Sequence, residues 1–208
     1  MVKQLVESIA EGLRAAIDNG KLPDGFYDSS TYTDNDIHAK SINRCHPVTL
    51  GLLFPILSNL PGVKHVGIDV HINLGGKKIQ PDLVGFCEDL SLGKEKHLVY
   101  VDFESPNSSD ERVFKKDVEP YKKSGSQTPY IIVTSLPDKE APKWGLGYTN
   151  DGNWNCAHKN SRKDIKKNPF SYWSKVWRAD MKGMDLSTVA FININGKEVK
   201  CWDPTKSS

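Results

Sequence analysis

Hydrophobic residues recur along the first twenty positions with the spacing of an amphipathic helix. They stand at positions 2, 5, 6, 9, 13, 16 and 17, which matches the 3.6-residue period of an α-helix. Gly20 follows as a helix terminator. A second helix is predicted from Pro47 to Leu60, in which Pro55 is expected to kink the helix or to end it early.

Beyond these helices, hydrophobic and polar residues alternate with the period of two that is typical of strands. The three predicted strands span residues 66–74, which end at a Gly75-Gly76 turn, residues 79–87 and residues 97–104. Because side chains of a strand point alternately to its two faces, Asp102 and Glu104 are predicted to share one face. Val99, Val101 and Phe103 are predicted to occupy the other face.

The remaining elements complete a mixed α/β pattern. The sequence predicts a helix starting near Glu111 with Phe114, Val118 and Tyr121 facing inward, a strand from Tyr130 to Thr134, a helix from Phe170 to Met181, and a hairpin from Val189 to Trp202 that turns at Asn195-Gly196. A strand, a helix and a strand after a meander indicate a mixed sheet flanked by helices. We expect one domain over residues 1–204, with core motifs at 63–135, and a frayed tail at 205–208.

Composition excludes several classes of protein. The chain has 208 residues, 38% hydrophobic and 26% charged, enough for one buried core. No stretch reaches the roughly 18 apolar residues of a membrane span, so we expect a cytoplasmic protein without a membrane partner. The four cysteines lie far apart without a C-x-x-C pair, which argues against a disulfide framework and a zinc ribbon.

Positive charge is concentrated near the C-terminus although the formal net charge is only +2. Residues 157–182 contain two acids and eight basic residues, namely Lys159, Arg162, Lys163, Lys166, Lys167, Lys175, Arg178 and Lys182. The rest of the chain has 20 basic and 24 acidic residues, from totals of 28 and 26. A basic segment on an otherwise acidic chain suits the phosphate backbone of a nucleic acid, and a solvated lysine-rich surface is the open alternative.

Two short segments place carboxylates at the ends of apolar runs. They are Gln80-Pro81-Asp82-Leu83-Val84 and Val101-Asp102-Phe103-Glu104-Ser105. Mg²⁺ prefers oxygen ligands from one or two carboxylates and water, and clustered carboxylates without a metal repel one another. We therefore expect Asp82, Asp102, Glu104 and the Phe103 carbonyl to form a site for Mg²⁺, with Mn²⁺ as an alternative ion.

The same two segments resemble the signature of the PD-(D/E)XK nuclease superfamily, whose members have a restriction-endonuclease-like core. In that signature an Asp after a Pro, and a D/E-x-K on the next strand, bind metal beside a phosphodiester. Glu104 stands here in the place of the Lys. The resemblance implies a metal-dependent endonuclease that hydrolyses nucleic acid by metal-activated water, with DNA favoured over RNA and a homodimer compatible with the chemistry.

A catalytic lysine can also move from the strand to the following helix. Residues 98–134, in which an apolar strand ends in acid-x-x-Ser-Pro, are similar to a group of small prokaryotic nucleases in which this happens. The chain offers Lys115 and Lys116. At about 100° per residue of an α-helix, Lys115 would flank the site and Lys116 would point to solvent. Glu104 as a third carboxylate, with metal-bound water alone, is favoured over Lys115.

Other functional classes remain open from the sequence. The missing strand lysine also fits a catalytically inactive nuclease-like fold that binds nucleic acid or protein. A hydrolase that acts on sugars with a pair of carboxylates ranks last, because no row of exposed aromatic residues is apparent to hold a sugar.

Overall fold

A computed structural model describes residues 2–20, 22, 26, 46–87, 96–104, 114–135, 147–148, 154–155 and 187–202. Its α-helices are α1 (Val2–Asp18), α2 (His46–Ser58) and α3 (Glu119–Lys123). A π-helical turn (Phe114–Val118) runs directly into α3. The strands are β1 (His65–Ile68), β2 (Ile72–Leu74), β3 (Lys77–Ile79), β4 (Leu83–Phe86), β5 (His97–Glu104), β6 (Tyr130–Thr134), β7 (Gly147–Tyr148), β8 (Trp154–Asn155), β9 (Val189–Asn195) and β10 (Glu198–Trp202).

Six strands form one mixed sheet in the order β1-β4-β5-β6-β9-β10. Strands β1, β4 and β5 are antiparallel neighbours, β5, β6 and β9 are parallel, and β10 returns antiparallel to β9. A parallel pair needs a crossover connection, and the segment with the π-helical turn and α3 provides it between β5 and β6. The predicted mixed sheet with helices and a C-terminal hairpin is confirmed within the described residues.

Helices α1 and α2 pack on one face of the sheet. Their buried residues include Ile9, Leu13, Leu53 and Leu57, and the strands contribute Val99, Val101, Phe103, Ile131, Val133, Ala190 and Ile192. The predicted hydrophobic stripe of α1 is therefore the helix side of this core. Burial of these side chains stabilises the fold, at roughly 25 cal/mol per Å² of apolar surface removed from water.

The opposite face of the sheet is also buried, but it carries polar side chains. Helix α3 lies over it, and the rings of Tyr100, Tyr121 and Tyr130 meet there with centroids 4.9 to 6.0 Å apart. Asp102 lies on this face next to the tyrosines. The predicted alternation along β5 is thus confirmed, since Val99, Val101 and Phe103 lie in the apolar core on the other side.

Two predicted strands are each divided in the structure, so the prediction of single strands at 66–74 and 79–87 was wrong. Asp69 adopts a positive φ of 55°, a conformation that few residues other than glycine favour. The chain leaves the sheet there, forms the β2–β3 hairpin and returns at β4. The Gly75-Gly76 turn is confirmed, with both glycines at positive φ, but alternation alone does not indicate where a strand is interrupted.

Two smaller predictions also need correction. Helix α2 continues past Pro55 to Ser58; Gly51 and Pro55 lie on its exposed side, where water can bond the carbonyl that loses its N–H partner. The β9–β10 hairpin turns at Gly196-Lys197, one residue later than predicted, because Asn195 still pairs with Glu198.

The described helices include none that is long and apolar enough to cross a membrane. The predicted helix 170–181, the basic segment 157–182 and the tail 205–208 lie outside the described residues.

Candidate functional site

The candidate site lies where β4 begins and β5 ends. These strands are antiparallel neighbours, with Leu83 opposite Val101. Asp82 comes directly before β4, and its N–H donates to Asp102 Oδ1 at 2.8 Å. The Phe103 N–H in turn donates to Asp82 Oδ2 at 2.8 Å. The two aspartates predicted as metal ligands are therefore joined across neighbouring strands.

Asp102 is the most buried acid of the site, with 2% of its surface exposed. Its Oδ2 accepts a hydrogen bond from the Tyr130 hydroxyl. Burial and the negative charges of Asp82 and Glu104 raise the pKa of Asp102 to about 7, although the hydrogen bonds from Tyr130 and from the Asp82 N–H oppose this rise. Burial and the charge of Asp102 also raise the pKa of Tyr130 well above its ordinary value. Tyr130 is therefore a fixed proton donor to the carboxylate.

His46 reaches the site from α2, a helix on the apolar face of the sheet. It is the first residue of α2, its ring packs 6.0 Å from that of Phe103, and Nε2 lies 3.1 Å from Asp82 Oδ1. The hydrogen bond to Asp82 raises the pKa of His46, burial opposes this, and the charges of the site acids add to the rise. With 39% of its side chain exposed, His46 is accessible from solvent.

Glu104 lies on the polar face of β5, near the end of the π-helical turn. Lys116 Nζ is 4.0 Å from Glu104 Oε1 and 3.5 Å from Asp117 Oδ1. Lys116 is exposed to solvent as predicted, but its ammonium group also lies beside the acids of the site, which the predicted helical angles did not indicate. The reason is local: residues 114–118 form a π-helical turn, which has more residues per turn than an α-helix, so α-helical angles misplace the side chains. The side chain of Lys115 lies outside the described residues.

Asp117 is a further acid of the site, with 3% of its side chain exposed. Burial, the charge of Asp102, and the charge and hydrogen bond of Glu104 together raise the pKa of Asp117 to about 9, against the opposing charge of Lys116. Burial alone would lower the pKa of Lys116, but the charges of Asp117 and Glu104 outweigh it and the pKa is raised.

The site offers carboxylate and carbonyl oxygens, which are the type of ligand that a divalent cation such as Mg²⁺ prefers. Four carboxyl groups (Asp82, Asp102, Glu104 and Asp117) lie beside two cationic or titratable groups, His46 and Lys116. A cation would neutralise this excess of negative charge. The Phe103 carbonyl projects to the same edge of β5 as its N–H, because the two groups of an extended residue share one side.

The oxygen atoms of these residues do not form a complete coordination shell for a metal ion. Hydrogen bonds engage both oxygens of Asp82 and both of Asp102. Among the described residues, no group of three or more His, Cys, Asp and Glu is positioned to hold a metal ion. Mg²⁺ is often held by one or two carboxylates with water completing its shell, so a pair of these acids is enough to bind it.

Three residues of the site were not identified from the sequence. Asp117 had a usable signal, because it lies four residues before Tyr121 on the predicted inward stripe of a helix. Tyr130 and His46 had none, since each meets its aspartate only through tertiary packing, across 28 and 36 positions of sequence.

The eight basic residues predicted to bind nucleic acid all lie outside the described residues. They are Lys159, Arg162, Lys163, Lys166, Lys167, Lys175, Arg178 and Lys182. A scan against protein-family models and searches of curated proteins and solved structures found no match. A functional proposal for this chain therefore depends on its own residues.

Proposed function

We propose that the chain is a metal-dependent nuclease that hydrolyses phosphodiester bonds of nucleic acid, with DNA as the favoured substrate and Mg²⁺ or Mn²⁺ as its cofactor. The observation that carries the proposal is the linkage of Asp82 to Asp102 across β4 and β5. The PD-(D/E)XK signature implies this placement, with one Asp after a Pro and a second acid on the adjacent strand. The restriction-endonuclease-like core is part of the same proposal.

Asp82 and Asp102 are the proposed metal ligands, with the Phe103 carbonyl beside them and Glu104 as a third carboxylate. When bound, a divalent cation would acidify a water molecule and neutralise charge on the phosphate. The protein supplies the orientation of these ligands. His46 fixes Asp82 from one side, and Tyr130 fixes Asp102 from the other. Outer partners of this kind set the direction in which a ligand presents its lone pairs.

Lys116 takes the proposed place of the missing strand lysine. Its ammonium group lies 4.0 Å from Glu104, which occupies the position of that lysine in the signature. The side chain is 54% exposed, so it can contact a phosphate oxygen from solvent. The prediction of Lys115 in this role stays a prediction, but the geometry of the π-helical turn supports Lys116 instead.

We assign binding of the nucleic-acid backbone to the basic segment 157–182. Neutralising phosphates with Lys and Arg makes affinity fall as salt rises, because condensed counterions are released on binding. A contact of this kind carries no sequence information, so the proposal specifies the class of substrate and not a recognition sequence.

Cleavage assays with isosteric variants test the proposal. Supercoiled plasmid, single-stranded DNA and RNA are incubated with wild type in Mg²⁺, Mn²⁺ or EDTA. We expect metal-dependent cleavage that Asp82→Asn and Asp102→Asn each reduce by more than about 100-fold, since loss of an outer partner already costs about 10- to 100-fold. Glu198→Gln, at an exposed acid of the edge strand β10, is the matched control and should cleave like wild type. Wild type that cleaves none of the three substrates would refute the proposal.

One observation favours a second candidate, a nuclease-like module that binds without cleaving. All four carboxylate oxygens of Asp82 and Asp102 are already hydrogen-bonded, which lowers their availability to a metal. In that case wild type would bind nucleic acid in a salt-dependent manner and Asp82→Asn would bind equally well, with no cleavage in any metal.

A further inference from the structure

The β2–β3 hairpin stands immediately before the candidate site in the chain. The chain leaves the six-stranded sheet at Asp69 and returns to it at Asp82, the proposed metal ligand that precedes β4. The Asp69 N–H donates to the Asp82 carbonyl at 2.9 Å, and Gln80 Nε2 donates to Asp69 Oδ1 at 2.6 Å. These two hydrogen bonds close the base of the hairpin and fix its position relative to Asp82.

Contacts within the hairpin and beneath it fix its conformation. Ile72 and Ile79 lie opposite one another and are both buried, and β3 packs against α3. At the tip, Gly75 and Gly76 both have positive φ, which a tight two-residue hairpin turn requires. The Asn73 side chain accepts a hydrogen bond from the Gly76 N–H at 3.0 Å. The hairpin therefore presents its exposed residues in a fixed arrangement.

Two exposed lysines follow the turn of this hairpin without a carboxylate partner. Lys77 and Lys78 are exposed, and neither forms an ion pair with any residue that the structure describes. By contrast, Lys3 and Lys200 each pair with a nearby glutamate. Residues 70–81 contain no acid at all. The hairpin thus carries uncompensated positive charge directly beside a cluster of carboxyl groups.

The two lysines are close enough to Asp82 to contact the same polyanion. Lys78 precedes Asp82 by four positions, and four residues of extended chain span at most about 14 Å. Consecutive phosphates of one DNA strand are about 3.4 Å apart along the helix axis. A phosphodiester bound at Asp82 would therefore place phosphates of the same strand, within about four nucleotides, beside Lys77 and Lys78.

We propose that the β2–β3 hairpin is a second contact surface for the nucleic-acid backbone, where Lys77 and Lys78 bind phosphates that flank the cleaved bond. The surface is separate from the basic segment 157–182, and it rests on the proposed function for the identity of its partner. Its positive charge offsets the repulsion that the carboxyl groups of the site exert on an approaching strand. Phosphate contacts carry no sequence information, so the hairpin positions the strand without selecting bases.

Salt-dependent binding in EDTA tests the inference without any cleavage. Fluorescence anisotropy of a short labelled DNA duplex is measured from about 50 to 200 mM KCl. We expect Lys77→Gln/Lys78→Gln to bind more than about tenfold more weakly at about 100 mM KCl. The slope of log affinity against log salt should fall by about two, because each lost phosphate contact removes about one. Lys77→Arg/Lys78→Arg keeps both charges and should bind like wild type.

A second hairpin of the chain supplies the matched control. Lys197→Gln/Lys200→Gln removes two exposed lysines from the β9–β10 hairpin, at the edge of the sheet opposite to β1, and should keep the wild-type slope. The inference is overturned if the glutamine variant of the β2–β3 hairpin binds like wild type, or if the control or the arginine variant loses as much. Wild type that does not bind the duplex would overturn it as well.

The cleavage assay separates this inference from the proposed function. Wild type that binds through Lys77 and Lys78 but cleaves nothing in Mg²⁺ or Mn²⁺ would refute the nuclease and retain the contact surface. Wild type that cleaves in the presence of metal, with binding that the β2–β3 variant leaves unchanged, would refute the contact surface and retain the nuclease.

Discussion

The two faces of β5 are both buried, yet they differ in chemistry. Val99, Val101 and Phe103 enter an apolar core against α1 and α2. Asp102 and Glu104 face the layer of α3 and the π-helical turn, together with the fully buried Tyr100. One strand of eight residues thus separates a dry core from a cluster of acids by its alternation alone.

The two faces of β5 contribute differently to the free energy of unfolding. The apolar face gains stability from burial at every pH. The polar face holds acids whose pKa values are raised, to about 7 for Asp102 and about 9 for Asp117. Groups of this kind cluster at functional sites because their burial is tolerated for a task other than stability.

Placing a charge on the dry face should have the largest effect. Val101 is fully buried in the apolar core, so Val101→Asp would leave an unpaired carboxylate there. We expect a loss of at least about 3 to 5 kcal/mol in the free energy of unfolding, measured by urea denaturation. Val101→Thr, which adds only a hydroxyl, should lose less. A Val101→Asp protein that unfolds at the wild-type urea concentration would show that this face tolerates charge as the other does.

Removing the Tyr130 hydroxyl should cost less and should depend on pH. Tyr130→Phe leaves Asp102 Oδ2 without its donor, which costs about 1 to 3 kcal/mol for a buried group. The hydroxyl lowers the pKa of Asp102, so it stabilises the charged form, and the loss should be larger at pH 8 than at pH 5.5.

Tyr121→Phe is the matched control on the same face. The Tyr121 hydroxyl bonds to Thr188 and to the Thr128 carbonyl, which do not ionise in this range, so its loss should be similar at both pH values. If Tyr130→Phe loses the same free energy of unfolding at both pH values, the assignment of Asp102 as the titrating partner is contradicted.

Asp117→Asn should stabilise the metal-free protein. The pKa of Asp117 is about 9 in the folded protein and 3.8 in the unfolded chain. Between these two pH values the folded state holds a proton that the unfolded state releases. Stability therefore falls as pH rises from about 4 to about 9. A pKa difference of 1 is worth about 1.4 kcal/mol, and we expect a gain of at least about 1 kcal/mol at pH 8 in EDTA. Glu119→Gln should leave the slope of stability against pH unchanged, and a destabilised Asp117→Asn would contradict the account.

The smallest effect is expected at His46. The hydrogen bond to Asp82 raises the pKa of His46 above 6.5, so its stabilisation is present below about pH 6.5 and is lost as pH rises through the folded value. Because the side chain is 39% exposed, solvent screening limits the contribution to less than about 1 kcal/mol. His46→Gln should be destabilised at pH 6 and nearly neutral at pH 9 by thermal unfolding. The opposite order would contradict this role.

Sequence patterns predicted β5 with its correct bounds because its alternation is unbroken and both of its faces are buried. They failed at Asp69 and at residues 114–118, where a positive φ and a π-helical turn change the direction of the chain. Neither feature has a hydrophobic period that could indicate it. The α-helical angles therefore did not indicate that the ammonium group of Lys116 lies near Glu104.

Some residues of the candidate site could be predicted from the sequence and others could not. Asp82, Asp102 and Glu104 follow from the ends of strands that are adjacent in the chain, since successive antiparallel strands pair. His46 and Tyr130 join them from α2 and β6, and such long-range partners depend on how the layers pack. Asp117 is a polar residue on a predicted inward stripe, and such a position is a signal of a buried functional group.

The central claim is that the acids of the polar face hold a divalent cation. Crystals grown with Mn²⁺ and measured near its absorption edge locate the ion by anomalous scattering. The account predicts a peak in contact with Asp82 and Asp102. Mn²⁺ at full occupancy elsewhere on the chain, with no peak at Asp82 and Asp102, would contradict it.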